Sequence, residues 1–322
     1  MGDFFAVLTG VFWAFYSILV RRGTGTVSQE AGLLIANTYN AVFNLILLTV
    51  YLTVKTIPPL NWTGVLYFLA AGLFTTFIGR LFFFQSIAFL GPSRAGIFKL
   101  SYPAFTLLLA IFILGERIGP LEIAGVVIVF AGIGVLVKEK LPTPASREAA
   151  ATRESLQARG QVAPTEGGVA TLKRLAPALN PGILFGLTSG ISFGAGMILR
   201  KTGMNALPDS LLGATLGSLS ALGAFLIWYA VKGQIRSMAR EAFGRFNWPY
   251  SAAGVVGGLA LLSLFISLDY ISLSRSNMVS TAEIPFTILL TRILLPQSET
   301  LTSRVLAGAG LVVLGALMVM AG

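Results

Sequence analysis

The chain has 322 residues, of which 55% are hydrophobic and only 11% are charged, and its mean hydropathy is +0.81. Soluble domains carry roughly a quarter charged residues, so much of this apolar surface must face lipid. The absence of cysteine excludes disulfides and thiol chemistry, and the absence of histidine removes the commonest metal ligand and acid–base group. We therefore expect an integral membrane protein that is not an enzyme and uses no metal or cofactor.

Ten apolar segments follow one another along the chain, each near the length of about 20 residues that crosses the hydrocarbon core. We predict spans 1 to 10 at residues 3–20, 30–53, 63–89, 93–114, 120–137, 181–200, 209–231, 250–272, 275–295 and 302–321. Several connections have only a few residues, so neighbouring spans should pack as antiparallel pairs. The expected fold is an all-α membrane protein with ten transmembrane helices.

Residues 138–179 differ in composition from the rest of the chain. They are rich in Ala, Arg, Glu, Pro and Gly and contain no apolar run long enough to span a membrane. This composition is typical of a solvated linker. It divides the chain into a first domain, 1–137 with spans 1–5, and a second domain, 180–322 with spans 6–10.

The two domains carry the same pattern in the same order. Gly10 aligns with Gly190 at an offset of 180, and Pro103 aligns with Pro285 at an offset of 182. Gly125 and Gly132 then align with Gly308 and Gly315 at an offset of 183. Since five spans is an odd number, the second half must enter the membrane upside down. Inverted repeats of this kind are typical of secondary transporters, with a substrate site between the halves.

Several short motifs make the chain resemble EamA-type members of the drug/metabolite transporter superfamily. The shared features are a Ser-Arg pair opening spans 4 and 9, a proline within each of those spans, and Leu-Gly-Glu ending span 4. These residues are Ser93-Arg94, Ser274-Arg275, Pro103, Pro285 and Leu114-Gly115-Glu116. The second half departs from the pattern, because Leu295-Pro296-Gln297-Ser298 replaces Leu-Gly-Glu. The resemblance implies a ten-helix basket around a central cavity and export of small metabolites.

Polar residues at membrane depth are the candidates for a substrate site, since each is costly unless it faces a cavity or a partner. Asn37, Asn40 and Asn44 share one face of span 2, and Thr215 and Ser218 lie on the equivalent face of span 7. This stripe predicts either a hydrogen-bonding cavity wall or polar contacts that hold helices together.

The charged residues within the spans have several alternative roles. Arg80 in span 3 is predicted to contact substrate or to form an ion pair, and Lys99 in span 4 to contact substrate or to reach the membrane surface. Glu283 in span 9 is expected to pair with Arg80, to bind a cationic group or to carry a coupling proton. Asp269 is the second candidate for proton coupling, although it and Arg292 lie near span ends, where interfacial anchoring is favoured.

Aromatic, proline and glycine residues add further expectations. Trp13 and Tyr16 share a face of span 1, where they stack on a solute or pack against helices. Pro103 and Pro285 are expected to kink spans 4 and 9 and are candidate hinges. A series of glycines in span 6 predicts close helix packing; its members are Gly186, Gly190 and Gly194.

The distribution of basic residues gives an orientation that conflicts with the resemblance. The net charge is +10, from 23 Lys and Arg against 13 Asp and Glu. Connections after odd-numbered spans hold 15 of the basic residues and those after even-numbered spans hold five. By the positive-inside rule the odd connections are cytoplasmic and both termini lie outside, whereas the resemblance implies the opposite. Basic residues between apolar runs fit membrane anchoring and not nucleic-acid binding.

No nucleotide-binding loop or metal-ligand cluster appears in the sequence, so transport must use an ion gradient or the solute's own gradient. The favoured function is a secondary active exporter of small metabolites, such as amino acids or drugs, by alternating access with or without a proton gradient. The alternatives are a carrier for an anionic or nucleotide-linked solute, using Arg80 and Lys99, and a non-transporting scaffold. The expected partners are the solute and the lipid of the cytoplasmic membrane, with the protein a monomer or homodimer.

Overall fold

A computed structural model describes residues 1–54, 59–109, 119–137, 181–271, 276, 279–280, 282–295 and 302–321. Within these ranges the protein is all-helical and has no strand. The predicted linker 138–179 and the motif Leu114-Gly115-Glu116 lie outside the described residues, as does the pair Ser274-Arg275.

We number the helices of the described ranges α1 to α13 in chain order, with one π-helical segment between α3 and α4. The helices are α1 Gly2–Gly23, α2 Gln29–Leu52, α3 Trp62–Gly72, π Leu73–Gly79, α4 Arg80–Leu90, α5 Pro92–Lys99, α6 Tyr102–Leu109, α7 Pro120–Val137, α8 Pro181–Ala206, α9 Ser210–Val231, α10 Ile235–Phe243, α11 Trp248–Tyr270, α12 Glu283–Leu294 and α13 Ser303–Ala321.

The predicted spans correspond to these helices in order, with span 3 formed by α3, the π segment and α4, and span 4 by α5 and α6. In the described part, six helices are long and apolar enough to cross a membrane. They are Gly2–Gly23, Gln29–Leu52, Trp62–Leu90, Pro181–Ala206, Ser210–Val231 and Trp248–Ser267. The protein is therefore a multi-pass, all-helical membrane protein.

Polar caps fix where several spans begin. The Ser28 side chain accepts a hydrogen bond from the Ala31 N–H, and Asp209 and Asn247 accept in the same way at the starts of α9 and α11. Each cap satisfies a backbone donor that would otherwise lack a partner at the helix end. The predicted start of each of these helices is within two residues of the observed one.

Span 4 is a broken helix and not a kinked one. Helix α5 ends at Lys99, the chain turns at Leu100–Ser101, and α6 starts at Tyr102 with Pro103 in its first turn. Pro285 likewise lies in the first turn of α12. A proline is tolerated there because its missing N–H has no intrahelical acceptor. The expected mid-helix kink is thus wrong in form, since each proline opens a new helix.

Helix α10 is an element that the sequence analysis assigned to a connection. Met238 and Ala242 are buried against α2 and α9, while Arg236, Arg240 and Phe243 are exposed. Its apolar residues recur at helical spacing, so α10 is amphipathic. The search for runs of about 20 apolar residues misses a helix of nine residues with a polar face.

Close helix contacts depend on glycine, as predicted for span 6. A methyl group added at Gly186 or Gly190 of α8 would lie 2.6 Å from Phe98 Cβ or Ser101 Oγ, and one added at Gly194 would lie 3.0 Å from the Thr106 nitrogen. These glycines therefore let α8 pack directly on α5 and α6, which confirms the expectation.

Two facing glycines on α3 and α9 provide a matched test of this packing. A methyl group at Gly72 would lie 2.2 Å from the Gly217 carbonyl oxygen, whereas one at Gly217 would have its nearest neighbour at 3.5 Å. We expect Gly72→Ala to lower the free energy of unfolding by about 1–3 kcal/mol through overpacking. Gly217→Ala should be neutral or stabilising by up to about 1 kcal/mol. Thermal unfolding in detergent measures both, and equal effects would contradict this geometry.

Candidate functional site

A narrow cavity lies at the centre of the helix assembly. The volume open to the centres of water molecules is about 60 Å³, so the cavity has room for a few waters. Its lining residues come from both halves of the chain: Thr9, Trp13, Thr75, Thr76, Arg80, Lys99, Leu100, Tyr102, Phe193, Met197, Arg200, Leu261, Leu264, Ser280 and Glu283. Four of the described lining residues are charged, and all four are at least nine-tenths buried. Such buried charges mark a functional site in a membrane protein.

An ion pair joins the two halves across the cavity. Lys99 Nζ donates to Glu283 Oε1 at 2.5 Å, and both side chains are about 6% exposed. Lys99 is the last residue of α5 and Glu283 is the first of α12, so the pair connects the end of one helix to the start of another. The carboxylate is therefore paired with Lys99 and not with Arg80, which corrects one of the expected alternatives.

Arg80 is held at the cavity wall by a cage of polar and aromatic groups. Its Nη1 donates to Asn37 Oδ1 at 3.3 Å, and Asn37 Nδ2 donates to the Thr76 carbonyl at 3.4 Å. The guanidinium carbon lies 5.3 Å from the centre of the Trp13 ring and 5.2 Å from that of Tyr16. Cation–π contacts of this kind stabilise a desolvated cation without neutralising it.

A π-helical segment directly precedes Arg80 and forms part of the cavity wall. Residues 73–79 form this segment, and the regular helix resumes at Arg80. Thr75 and Thr76 of the segment line the cavity, and Ser189 Oγ of α8 donates to the Gly79 carbonyl at 2.9 Å. The wider turn leaves backbone carbonyls out of register, and such segments occur often at functional sites.

Arg200 is a site residue that the sequence analysis missed. The predicted span 6 ends at Arg200, which was counted among the basic residues of the following connection. Helix α8 instead continues to Ala206, and Arg200 is buried. Its Nη2 donates to Thr75 Oγ1 at 3.3 Å, and its guanidinium carbon lies 5.2 Å from the Phe265 ring centre. Among the described residues no acidic side chain forms an ion pair with Arg80 or Arg200.

The two aromatic candidates of span 1 occupy different positions. Trp13 lines the cavity, where Lys99 Nζ lies 5.2 Å from its ring centre. Tyr16 is fully buried one turn away, in edge-on contact with Trp13, in tilted contact with Phe84 and next to the Arg80 guanidinium. Trp13 can therefore contact a solute directly, whereas Tyr16 supports Arg80 from behind.

The asparagine stripe of α2 forms hydrogen bonds between helices and does not line the central cavity. Asn40 Nδ2 donates to the Gly254 carbonyl of α11 at 3.4 Å, and Asn44 Nδ2 donates to Asn40 Oδ1 at 3.1 Å and Ser218 Oγ at 3.5 Å. Thr215 Oγ1 of α9 lies 3.4 Å from the Asn44 carbonyl. Asn37 alone of the three contacts a lining charge, so the role of the others in solute binding stays a prediction.

Two other candidates are not part of the cavity lining that the structure describes. The side chain of Asp269 lies outside the described residues, and Arg292 is exposed on α12, as expected for an anchor. In the part of the chain that is described, no cluster of acidic residues could hold a metal ion.

Comparison with models of protein families identifies the family of this chain. The model of the EamA-like transporter family matches residues 1–138 and 180–321, which is most of the chain. The chain belongs to the EamA-like transporter family. The resemblance drawn from its short motifs is thereby confirmed, and the protein is a transporter of the drug/metabolite type.

Solved structures extend the comparison of this EamA-like transporter to its fold. One crystal structure, described only as that of a protein, has a TM-score of 0.58 and 15% sequence identity, and the match covers 97% of this chain and 94% of the other. At that identity the match shows a shared fold alone. The sequences of curated proteins gave no significant match.

Proposed function

We propose that this EamA-like transporter moves a small metabolite through the central cavity by alternating access of two inverted five-helix halves. The observation that carries the proposal is the origin of the buried charges: Arg80 and Lys99 come from the first half, and Arg200 and Glu283 from the second. Groups from both halves must converge on a solute if rocking of one half against the other is to expose it to each side in turn.

The pattern of helix packing supports ten spans in two inverted halves. Span 1 packs on spans 8 and 9. Their counterparts in the other half are spans 6, 3 and 4, and span 6 likewise packs on spans 3 and 4. Span 2 packs on span 8 as span 7 packs on span 3. A two-fold axis requires contacts to be exchanged in this reciprocal way, as at a symmetric dimer interface.

Glycine contacts repeat the exchange at the level of single residues. A methyl group at Gly132 would lie 2.9 Å from the Gly308 carbonyl oxygen, and one at Gly315 would lie 2.6 Å from that of Gly125. The two contacts are equivalent, because the offset of 183 aligns Gly132 with Gly315 and Gly125 with Gly308. The domain division at residues 138–179 follows from the same repeat.

The charge of the cavity favours a solute with a negative group. Of the lining residues that the structure describes, three are cationic and one is acidic, and the acid is already paired with Lys99. Arg80 and Arg200 are left to bind an anion, and an arginine fork matches a carboxylate or phosphate. An amino acid offers a carboxylate, and an organic phosphate or dicarboxylate offers more charge. A purely cationic drug meets repulsion, and a scaffold needs no such cavity.

Reconstitution into liposomes tests the proposal. We expect uptake of a radiolabelled amino acid, dicarboxylate or sugar phosphate, and an unlabelled anion of the same class should compete at least about tenfold better than a cation of equal size, because a buried ion contact contributes about 1.5–3 kcal/mol. Empty liposomes are the control. Equal competition by anion and cation would contradict the charge assignment, and no flux of any solute would favour the scaffold.

Proton coupling through Glu283 is a second candidate. Glu283 faces the cavity from the start of α12, and an anionic solute can take the place of its carboxylate beside Lys99, its described ion-pair partner. A carboxylate that loses its cation in a dry cavity binds a proton more readily. We further propose export across the cytoplasmic membrane, with flux from inside-out and right-side-out vesicles as the measurement of direction.

A further inference from the structure

A second cavity lies away from the central one, at the end of the molecule where α1 ends and α11 begins. The volume open to the centres of water molecules in this second cavity is about 820 Å³. We call it the arginine pocket, and its defining residues are Arg22, Arg240, Arg245, Phe246, Asn247 and Trp248. None of them lines the central cavity.

The position of the arginine pocket is that of a membrane surface. Helix α1 ends at Gly23 and α11 starts at Trp248, and both are helices long and apolar enough to cross the bilayer. Trp248 is 51% exposed and Phe246 is 78% exposed. Exposed aromatic residues at the start of a spanning helix are typical of the interface between hydrocarbon and headgroups.

Three guanidinium groups from three elements meet in this pocket. Arg22 comes from α1, Arg240 from the amphipathic α10, and Arg245 from the loop after α10, and each is exposed. Glu241 also lines the pocket, but its Oε1 accepts a 2.8 Å hydrogen bond from the Ser28 N–H. The described lining therefore carries a net positive charge, and arginine forks bind phosphate oxygens in pairs.

Hydrogen bonds fix the shape of the pocket before any ligand arrives. Asn247 Nδ2 donates to Thr26 Oγ1 at 2.7 Å, and the Asn247 Oδ1 also caps α11. Together with the bond between Glu241 and Ser28, this ties the α10–α11 loop to the α1–α2 loop. The arginines thus project from a braced frame and not from a free loop.

We infer that the arginine pocket binds the headgroup of an anionic phospholipid, with phosphate on the arginines and acyl chains beside Phe246 and Trp248. The ligand is a lipid and not a soluble anion because the positive charge adjoins exposed apolar rings at the membrane surface. A juxtamembrane basic residue raises anionic lipid binding by about fivefold.

Native mass spectrometry of the protein titrated with phosphatidylglycerol or phosphatidylcholine tests the site. The pocket variant is Arg22→Gln/Arg240→Gln/Arg245→Gln. The matched control, Lys232→Gln/Arg236→Gln/Arg304→Gln, removes the same charge from exposed residues that do not line the pocket. We expect phosphatidylglycerol to bind at least about tenfold tighter than phosphatidylcholine, the pocket variant to lose that preference and the control to keep it within about threefold.

Quenching of tryptophan fluorescence by phosphatidylglycerol with brominated acyl chains locates the lipid independently. The absolute intensity lost to quenching should fall in Trp248→Phe and stay unchanged in Trp62→Phe, since Trp62 is exposed but lies outside the pocket. Equal loss of lipid in both triple variants would overturn the proposal, because it indicates unspecific attraction. Full displacement by excess inorganic phosphate would also overturn it, since the site would then bind a soluble anion.

Discussion

We expect replacement of Arg200 by glutamine to raise the KM for the proposed anionic solute by about 10- to 100-fold and to leave the amount of folded protein in the membrane unchanged. The reason is that Arg200 reaches the cavity from α8 and, among described residues, contacts Thr75, Met197 and Phe265 without an acidic partner. A hydrogen bond to a charged group contributes about 1.5–3 kcal/mol, which corresponds to that range. Arg80→Gln should act in the same direction.

Two variants separate binding from folding at these arginines. Arg200→Lys retains the charge but loses the planar fork, so its KM should fall between those of the wild type and Arg200→Gln. Arg292→Gln removes an exposed arginine of α12 and should leave KM unchanged. Kinetics of solute uptake into proteoliposomes, with protein content measured in the same samples, give both quantities. If Arg200→Gln lowered protein content at an unchanged KM, the residue would be structural.

We expect Lys99→Met to lower the free energy of unfolding by about 3–5 kcal/mol. Adding Glu283→Gln should restore most of that stability. The single variant leaves the Glu283 carboxylate buried without its cation, and removing one member of a buried pair has a cost of this size. The double variant Lys99→Met/Glu283→Gln has no unpaired charge and should unfold within about 1 kcal/mol of the wild type. Lys232→Met, at an exposed lysine, is the control.

Thermal unfolding in detergent measures the stability of these four proteins, and transport separates stability from function. The double variant should be stable yet unable to use a pH gradient, because it lacks the carboxyl group that we propose as the proton carrier. Glu283→Gln should keep exchange of solute for solute and lose uptake driven by a pH gradient. Unaltered pH-driven uptake in Glu283→Gln would refute proton coupling through this residue, and additive losses in the double variant would refute the pairing.

Sequence reasoning found three of the four cavity charges because charge is rare at membrane depth. Arg80, Lys99 and Glu283 each interrupt an apolar run, so their cost in lipid identified them. Arg200 also lies within a helix, but it follows the last clearly apolar residues of span 6, and the polar Lys201 and Thr202 after it made the helix seem to end there. Whether Arg200 lies at a helix end or is buried inside the helix depends on the length of α8. That length depends on packing against α3, which the sequence does not reveal.

The partner of each buried charge could not be read from the sequence. Pairing with Arg80 was one of three roles expected for Glu283, but the end of α5 and the start of α12 lie together and the acid pairs with Lys99. Arg80 directly follows the π segment of residues 73–79 and contacts Asn37 and Trp13 instead. Both features are departures from regular helix geometry, and neither leaves a periodic signal.

The net positive charge of the central cavity has a consequence for the membrane that surrounds the protein. Any small cation that enters the empty carrier meets Arg80 and Arg200 in a cavity where water centres occupy only about 60 Å³, so it is repelled with little solvent to screen it. Sodium therefore meets an electrostatic barrier along the path that we propose for an anionic solute. If the cavity carries an anionic solute, as we propose, the protein should leak little sodium, and many copies can be present without short-circuiting the membrane potential.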